Sequence, residues 1–194
     1  MDIINFYNQS LTESAEIKYK TLEACREDTL RAINAITNVY KNEGKIMFCG
    51  NGGSASDCQH LATELMIRLN HEVKRPALAA ISLCTDPSMM TAGGNDIGFV
   101  NVFSRSVEGL GKHNDALIGI STSGNSDNVI NAILQAKKMN IITICLLGGN
   151  GGKLKDLCDI AVIAPTSNTQ RIQEVHITLG HIICECVEQI LYNY

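Results

Sequence analysis

Twice in this chain an apolar run breaks off into a loop of small polar residues that opens onto a helical pattern. The first is Cys49-Gly50-Asn51-Gly52-Gly53-Ser54 and the second is Ser121-Thr122-Ser123-Gly124-Asn125-Ser126. A repeated handover from strand to helix restricts the chain to an α/β fold. At each handover the first helical N–H groups lack intrahelical partners and sit at the positive end of the helix dipole. Glycine and hydroxyl residues let an anion reach those donors. Both loops therefore point to a phosphorylated ligand.

The rest of the sequence continues the alternation. Apolar residues at helical spacing predict one long or slightly broken helix over residues 11–40, and further helices over 55–69, 100–109, 127–139 and 169–192. Strands are predicted over 45–49, 77–83, 116–120, 141–146 and 160–163, and residues 84–98 read as loop with a single helical turn. Strands that are apolar without alternation imply a parallel sheet covered on both faces, with ligands at the carboxyl ends of the strands. The expected architecture is α/β: a three-layer sandwich of five parallel strands between helices. It forms one domain over 1–194, with a helical segment at 1–40 and an α/β core at 41–194. The first and last helices carry more large apolar residues than a solvent-facing helix allows, which predicts that they meet other subunits.

The charge balance narrows the partners. A formal net charge of −4 and a pI near 5.7 provide no basic surface for a nucleic-acid backbone. Met1-Asp2-Ile3-Ile4-Asn5 is not the basic, apolar start of a secretory signal, and no apolar run reaches membrane-spanning length, so the expected location is the cytosol, away from any membrane. The 8 cysteines include no CxxC pair, and Cys184 and Cys186 fall on different faces of one helix, so reduced thiols packed as small apolar residues are expected.

Neither loop is a Walker A motif or a clean GxGxxG fingerprint, which counts against nucleotides. Three successive hydroxyls at Ser121, Thr122 and Ser123 suit a phosphate, whereas Ser126 is open to two readings, ligand contact or cap of the helix that follows. Downstream of the first loop, His60 and Glu64 are four apart and share a helix face. That spacing suits a metal ligand pair, an acid/base pair or an ordinary surface pairing. His181 is either a satisfied histidine of an apolar helix or a member of the site, and His176 reads as structural. The stretch 69–75 reads as the rim of the site or a contact.

Taken together, Asn51-Gly52-Gly53-Ser54 with His60 and Glu64, Gly94-Asn95-Asp96 before Gly98-Phe99, Ile120 to Ser126, and Arg171-Ile172-Gln173-Glu174-Val175-His176 followed by His181 resemble the phosphoheptose isomerases of the sugar isomerase (SIS) domain superfamily. The resemblance spans almost the whole chain. It implies interconversion of sedoheptulose 7-phosphate and a heptose 7-phosphate, the first step towards nucleotide-activated heptose for lipopolysaccharide or capsule. It further implies that Ser121, Thr122, Ser123 and Ser126 hold the phosphate, that Asn51, Gly52, Gly53, Ser54, Asn95, Asp96 and Gln173 contact the substrate, and that Arg68 lines the site. Zn²⁺ held by His60, Glu64, Gln173 and His181, one ion per subunit, and a homotetramer with composite sites are implied in the same way. Gln170 stands where several family members carry aspartate.

An aldose–ketose exchange needs a proton taken from one carbon and returned to its neighbour through an enediol. Glu64 is the expected base and His181 the expected acid, which leaves two roles on one carboxylate if it also holds a metal. Gln173 and His181, eight apart, are about 12 Å apart along a straight helix. Either their side chains converge, or the helix starts after Gln173, or the two serve a site from different subunits. Two other functions compete: a non-catalytic SIS protein that binds the bacterial replication initiator, and an isomerase or sensor for another phosphosugar.

Overall fold

The computed structural model describes residues 1–70 and 72–192; His71, within the stretch expected at the rim, lies outside the described residues. Five strands, β1 (Ile46–Gly50), β2 (Ala80–Ser82), β3 (Ala116–Ser121), β4 (Ile142–Gly148) and β5 (Ile160–Ala164), form an all-parallel sheet in the order β2-β1-β3-β4-β5. β1 and β3 are buried at every position, which removes the alternation that a half-exposed strand would show. Ile46, Phe48, Ile118, Ile120, Ile144 and Leu146 point to one face, whereas Met47, Cys49, Leu117, Cys145 and Leu147 point to the other.

The helices are α1 (Ile3–Ala24), α2 (Arg26–Lys41), α3 (Gly53–Met66), α4 (Pro87–Asp96), α5 (Val102–Leu110), α6 (Asp127–Lys138), α7 (Leu154–Leu157) and α8 (Thr169–Tyr192). One sheet face packs on α2, α3 and α8 through Ile33, Ile36, Leu61, Leu65, Val175 and Ile183. The other packs on α5, α6 and α7 through Phe103, Val107, Val129, Ile133 and Leu154. The three-layer α/β expectation describes this arrangement. All 8 cysteines are free thiols.

Three local expectations need correction, whereas the slight break allowed for in the first helix is present. The first helix starts at Ile3 rather than residue 11, because the Asp2 carboxylate accepts from the Ile4 and Asn5 N–H groups and caps it. It breaks at Cys25, whose buried thiol donates to the Ile163 carbonyl of β5 at 3.3 Å. Residues read as loop contain the ten-residue helix α4, capped by Asp86 and opened by Pro87. Helix α3 ends at Met66, so Arg68 lies beyond it and does not share the Glu64 face.

Helix α8 crosses beneath the sheet, starting after the edge strand β5 and packing against α3, which follows β1. His176 on α8 is buried and bonds through Nε2 to the Leu147 carbonyl at 2.9 Å. Burial holds its imidazole at a pKa of about 4, below the ordinary value of 6.5, and the Leu147 bond only partly opposes this. Above pH 6.5 both folded and unfolded chains hold the ring neutral. Between pH 6.5 and 4 the unfolded chain takes up a proton that the folded chain refuses, so stability falls with falling pH over that window, by up to about 3 kcal/mol. Melting temperatures of His176→Asn and wild type, compared from pH 7 to 4, should show a shallower acid decline in the variant; parallel curves would refute the assignment.

Candidate active site

Gly50, Ile120 and Leu146 stand in one row of the sheet, so the loops that follow β1, β3 and β4 emerge side by side. In the first loop, Asn51 exchanges two amide hydrogen bonds of 2.9 Å with Asn128, in the first turn of α6. That pair ties the glycine loop to the serine loop. Within the serine loop, the Ser121 and Ser126 hydroxyls are 3.0 Å apart, and Ser121 Oγ accepts from the Gly124 N–H. Ser126 occupies the N-cap position of α6, yet its hydroxyl makes no capping bond; the Val129 N–H donates to Asn128 Oδ1 at 3.0 Å, which leaves the Asp127 and Asn128 N–H groups to an incoming acceptor.

The serine loop has a brace that the sequence reading missed. Gly148-Gly149-Asn150-Gly151-Gly152, after β4, packs against it so closely that a Cβ on Gly124 would lie 1.9 Å from the Gly151 carbonyl oxygen. Gly124 has φ +65°, and its carbonyl accepts from the Leu154 N–H while Asn125 Oδ1 accepts from the Lys153 N–H. Four glycines in five residues were the available signal.

Three contacts align α3 with α8. At the start of α3, a Cβ on Gly53 would lie 2.6 Å from the Gln173 amide nitrogen. Further along, a Cβ on Gly180 would lie 2.6 Å from the Leu61 side chain. At the level of this second contact the imidazoles of His60 and His181 meet, with Nε2 atoms 2.7 Å apart. Successive contacts advance along both helices together, so the two run side by side in the same direction. His60 Nε2 also lies 3.2 Å from Glu64 Oε1. Helix α8 begins at Thr169, which rules out a helix starting after Gln173. The Gln173 amide lies at the ligand-loop end of α3, about 10 Å along the axis from His60.

Ligand atoms of His60, Glu64 and His181 all lie within 4.8 Å of one another. Two imidazoles and one carboxylate match the donor set of a catalytic zinc site, and a modest spreading of the 2.7 Å pair would accommodate an ion. Asp57, one turn before His60, was also missed. Its buried Oδ2 has no hydrogen-bond partner, and burial raises its carboxyl pKa while His60 and His181 pull it down. A half-buried carboxylate with one unpartnered oxygen beside two imidazoles fits a site that receives a cation.

The SIS domain family model matches residues 9–148. A phosphoheptose isomerase of Helicobacter pylori (strain Shi470) is 49% identical over 174 residues, covering 90% of each chain. One from a Nitratiruptor species is 48% identical over 187 residues, covering 96% of this chain and 99% of the other. The chain belongs to the phosphoheptose isomerases of the SIS domain family. Among solved structures, the phosphoheptose isomerase of Neisseria gonorrhoeae aligns over 96% of this chain and 99% of its own, with TM-score 0.90 and 40% identity. That of Francisella tularensis aligns over 97% and 100%, with TM-score 0.93 and 34% identity.

Of the residues this family resemblance singles out, the fold gathers Asn51, Gly52, Gly53, Ser54, Ser121, Thr122, Ser123, Ser126 and Gln173 at the loop end of α3. It gathers His60, Glu64 and His181 about two turns further on. Asn95 and Asp96 close α4 on a separate element, exposed and bonded to each other at 2.7 Å. Arg68 is exposed beyond the end of α3.

Proposed function

We propose that this phosphoheptose isomerase interconverts D-sedoheptulose 7-phosphate and D-glycero-D-manno-heptose 7-phosphate through an enediol. The observation that carries the reading is the spacing of the two halves of the site. A seven-carbon chain with its phosphate, laid out straight, spans roughly 9–10 Å from phosphorus to C1. His60 lies about 10 Å along α3 from Gly53. A phosphate seated at the serine loop, which Asn51 and Asn128 tie to the loop at the head of α3, leaves the sugar to extend along α3 toward the Glu64, His60 and His181 cluster.

Ser121, Thr122, Ser123 and Ser126 hold the phosphate through hydroxyls and backbone N–H groups, without a fixed cation. Asn51, Gly52, Gly53, Ser54 and Gln173 line the sugar next to them, and Arg68, Asn95 and Asp96 complete the contacts. Glu64 takes the proton from C1 of the ketose and returns it to C2, on the carboxylate oxygen not aimed at His60. His181 carries the proton between the two sugar oxygens. His60, Glu64 and His181 would hold Zn²⁺, which would supply Lewis-acid stabilisation of the enediolate oxygens, while Gln173, with its amide at the loop end of α3, serves the sugar rather than the ion. Asp57 offsets its charge.

The working unit in this reading is a homotetramer. Helix α1 exposes Ile3, Ile4, Phe6, Tyr7 and Leu11, and α1, α2 and α8 frame an apolar groove of about 600 Å³ lined by Tyr19, Leu22, Leu30 and Ile182. Such a surface is covered by other subunits more often than by water. No helix among the described residues is long and apolar enough to cross a membrane.

The test is conversion of sedoheptulose 7-phosphate by purified protein whose mass in solution is measured by light scattering. Turnover by a species of four chains, lost on chelation and restored by zinc, is expected. A well-folded, zinc-supplied protein without turnover would sink the heptose assignment. Turnover that survives complete chelation would remove the metal from it.

A further inference from the structure

Between α3 and β2, the described residues of the connection bury Val73 and Leu78 and, with them, the charged side chain of Arg75. Arg75 and Glu188 form an ion pair with both side chains 0% exposed. The guanidinium uses every donor it has. Nε donates to Glu188 Oε1 at 2.6 Å, and Nη2 is in close contact with the same oxygen. Nη2 also donates to the Glu64 backbone carbonyl at 2.8 Å, and Nη1 donates to the carbonyls of Leu65 at 2.8 Å and Pro76 at 2.9 Å. Glu188 lies seven residues after His181, on the same stripe of α8.

We propose that Arg75 and Glu188 are positioning residues that lock the last turn of α3 to α8 and so set the distance at which Glu64 and His60 meet His181. The peptide held by Arg75 is the one that carries the Glu64 carboxylate. The ligand-loop end of the two helices is set by Gly53 against Gln173, and the middle by Gly180 against Leu61. Among the described residues, the Arg75 tie acts at the far end through bonds of fixed direction. A buried ion pair adds little net stability over an apolar pair of the same volume, whereas a five-donor fork dictates geometry as apolar contacts do not. The stretch expected at the rim thus sends its arginine into the interior instead.

The inference rests on the isomerase reading of His60, Glu64 and His181, and three proteins separate the two: wild type, Glu188→Gln, and the double variant Arg75→Met with Glu188→Leu. For each, the melting temperature, the zinc affinity by competition with a chromogenic chelator, kcat and KM are measured. The double variant replaces the pair with apolar groups of similar volume, so it is expected to melt near wild type. Its zinc affinity and kcat should each fall about tenfold or more, with KM within about twofold because the serine loop is untouched. Glu188→Gln, which still accepts from Nε–H, should recover part of both losses.

A folded double variant with wild-type zinc affinity and kcat would overturn the proposal. If that variant does not fold, a Glu188→Gln protein that melts lower yet keeps both values would overturn it equally. A wild type that neither binds zinc nor isomerises the sugar refutes the isomerase reading, and this inference with it.

Discussion

Glu64→Gln is expected to lower kcat for sedoheptulose 7-phosphate by about 10³-fold, within the range that a positioned acid–base group contributes. The amide keeps the size of the carboxylate and its place 3.2 Å from His60, but it cannot accept the C1 proton. Because the proposed phosphate site is the serine loop, on another element, KM should change little. The informative readout is isotopic. In D₂O, an enediol route lets solvent deuterium enter the carbon that is reprotonated, and the variant should show none by NMR. If kcat stays within tenfold of wild type, or deuterium enters at the wild-type rate, Glu64 is not the base. His181→Ala serves as the companion, removing the proton carrier between oxygens while leaving the carboxylate in place.

Gly124→Ala attacks the other half of the site. Alanine at φ +65° costs about 1–2 kcal/mol by itself. The larger effect is collision, since the new Cβ would lie 1.9 Å from the Gly151 oxygen and 2.9 Å from the Gly152 nitrogen, and backbone cannot swing aside as a side chain can. The two loops must part, which breaks the bonds from the Leu154 and Lys153 N–H groups and moves the hydroxyls off the phosphate position. KM should rise about 100-fold, a loss of about 3 kcal/mol in binding, and inhibition by inorganic phosphate should weaken in parallel. Gly149→Ala is the control, because its φ of +61° carries similar strain but nothing lies within 4 Å of the added carbon. A Gly124→Ala enzyme with unchanged KM would show that the serine loop does not hold the phosphate.

What the sequence disclosed follows from which interactions are local. The strands β1, β3 and β4 were legible because each is an apolar run cut off by glycine, serine or asparagine, and the carboxyl-end loops follow from strand order. The ten residues of α4 were not, since Gly93 and Gly94 dilute a pattern that has no buried residue, although Asp86-Pro87 was a start signal. The first turns of α1 escaped for a related reason: Ile3, Ile4, Phe6 and Tyr7 are exposed and outline no single buried face. Within the site, residue types pointed to phosphate and proton transfer, but the meeting of His60 with His181 is set by long-range packing. Glycines 53 and 180 let two helices approach, and nothing in a linear pattern states which helix an unfilled Cβ position will face. Asp57 was passed over and the stretch holding Arg75 was read as a rim or contact for the same reason: His181, which faces Asp57, and Glu188, which Arg75 binds, lie on α8, more than a hundred residues away.

The crossing of α8 beneath the sheet has a consequence for how the enzyme is made. The two imidazoles that meet at 2.7 Å are separated by 121 residues of chain. At a synthesis rate on the order of ten residues per second, His60 leaves the ribosome about ten seconds before His181 does. Throughout that interval the earlier strands and α3 can pair and pack, but the apolar face that α8 will cover stays open, and the proposed proton-transferring centre is not assembled. Catalytic competence therefore arrives with the final helix, and a nascent or prematurely terminated chain can present a phosphate-binding loop with no means of acting on what it binds.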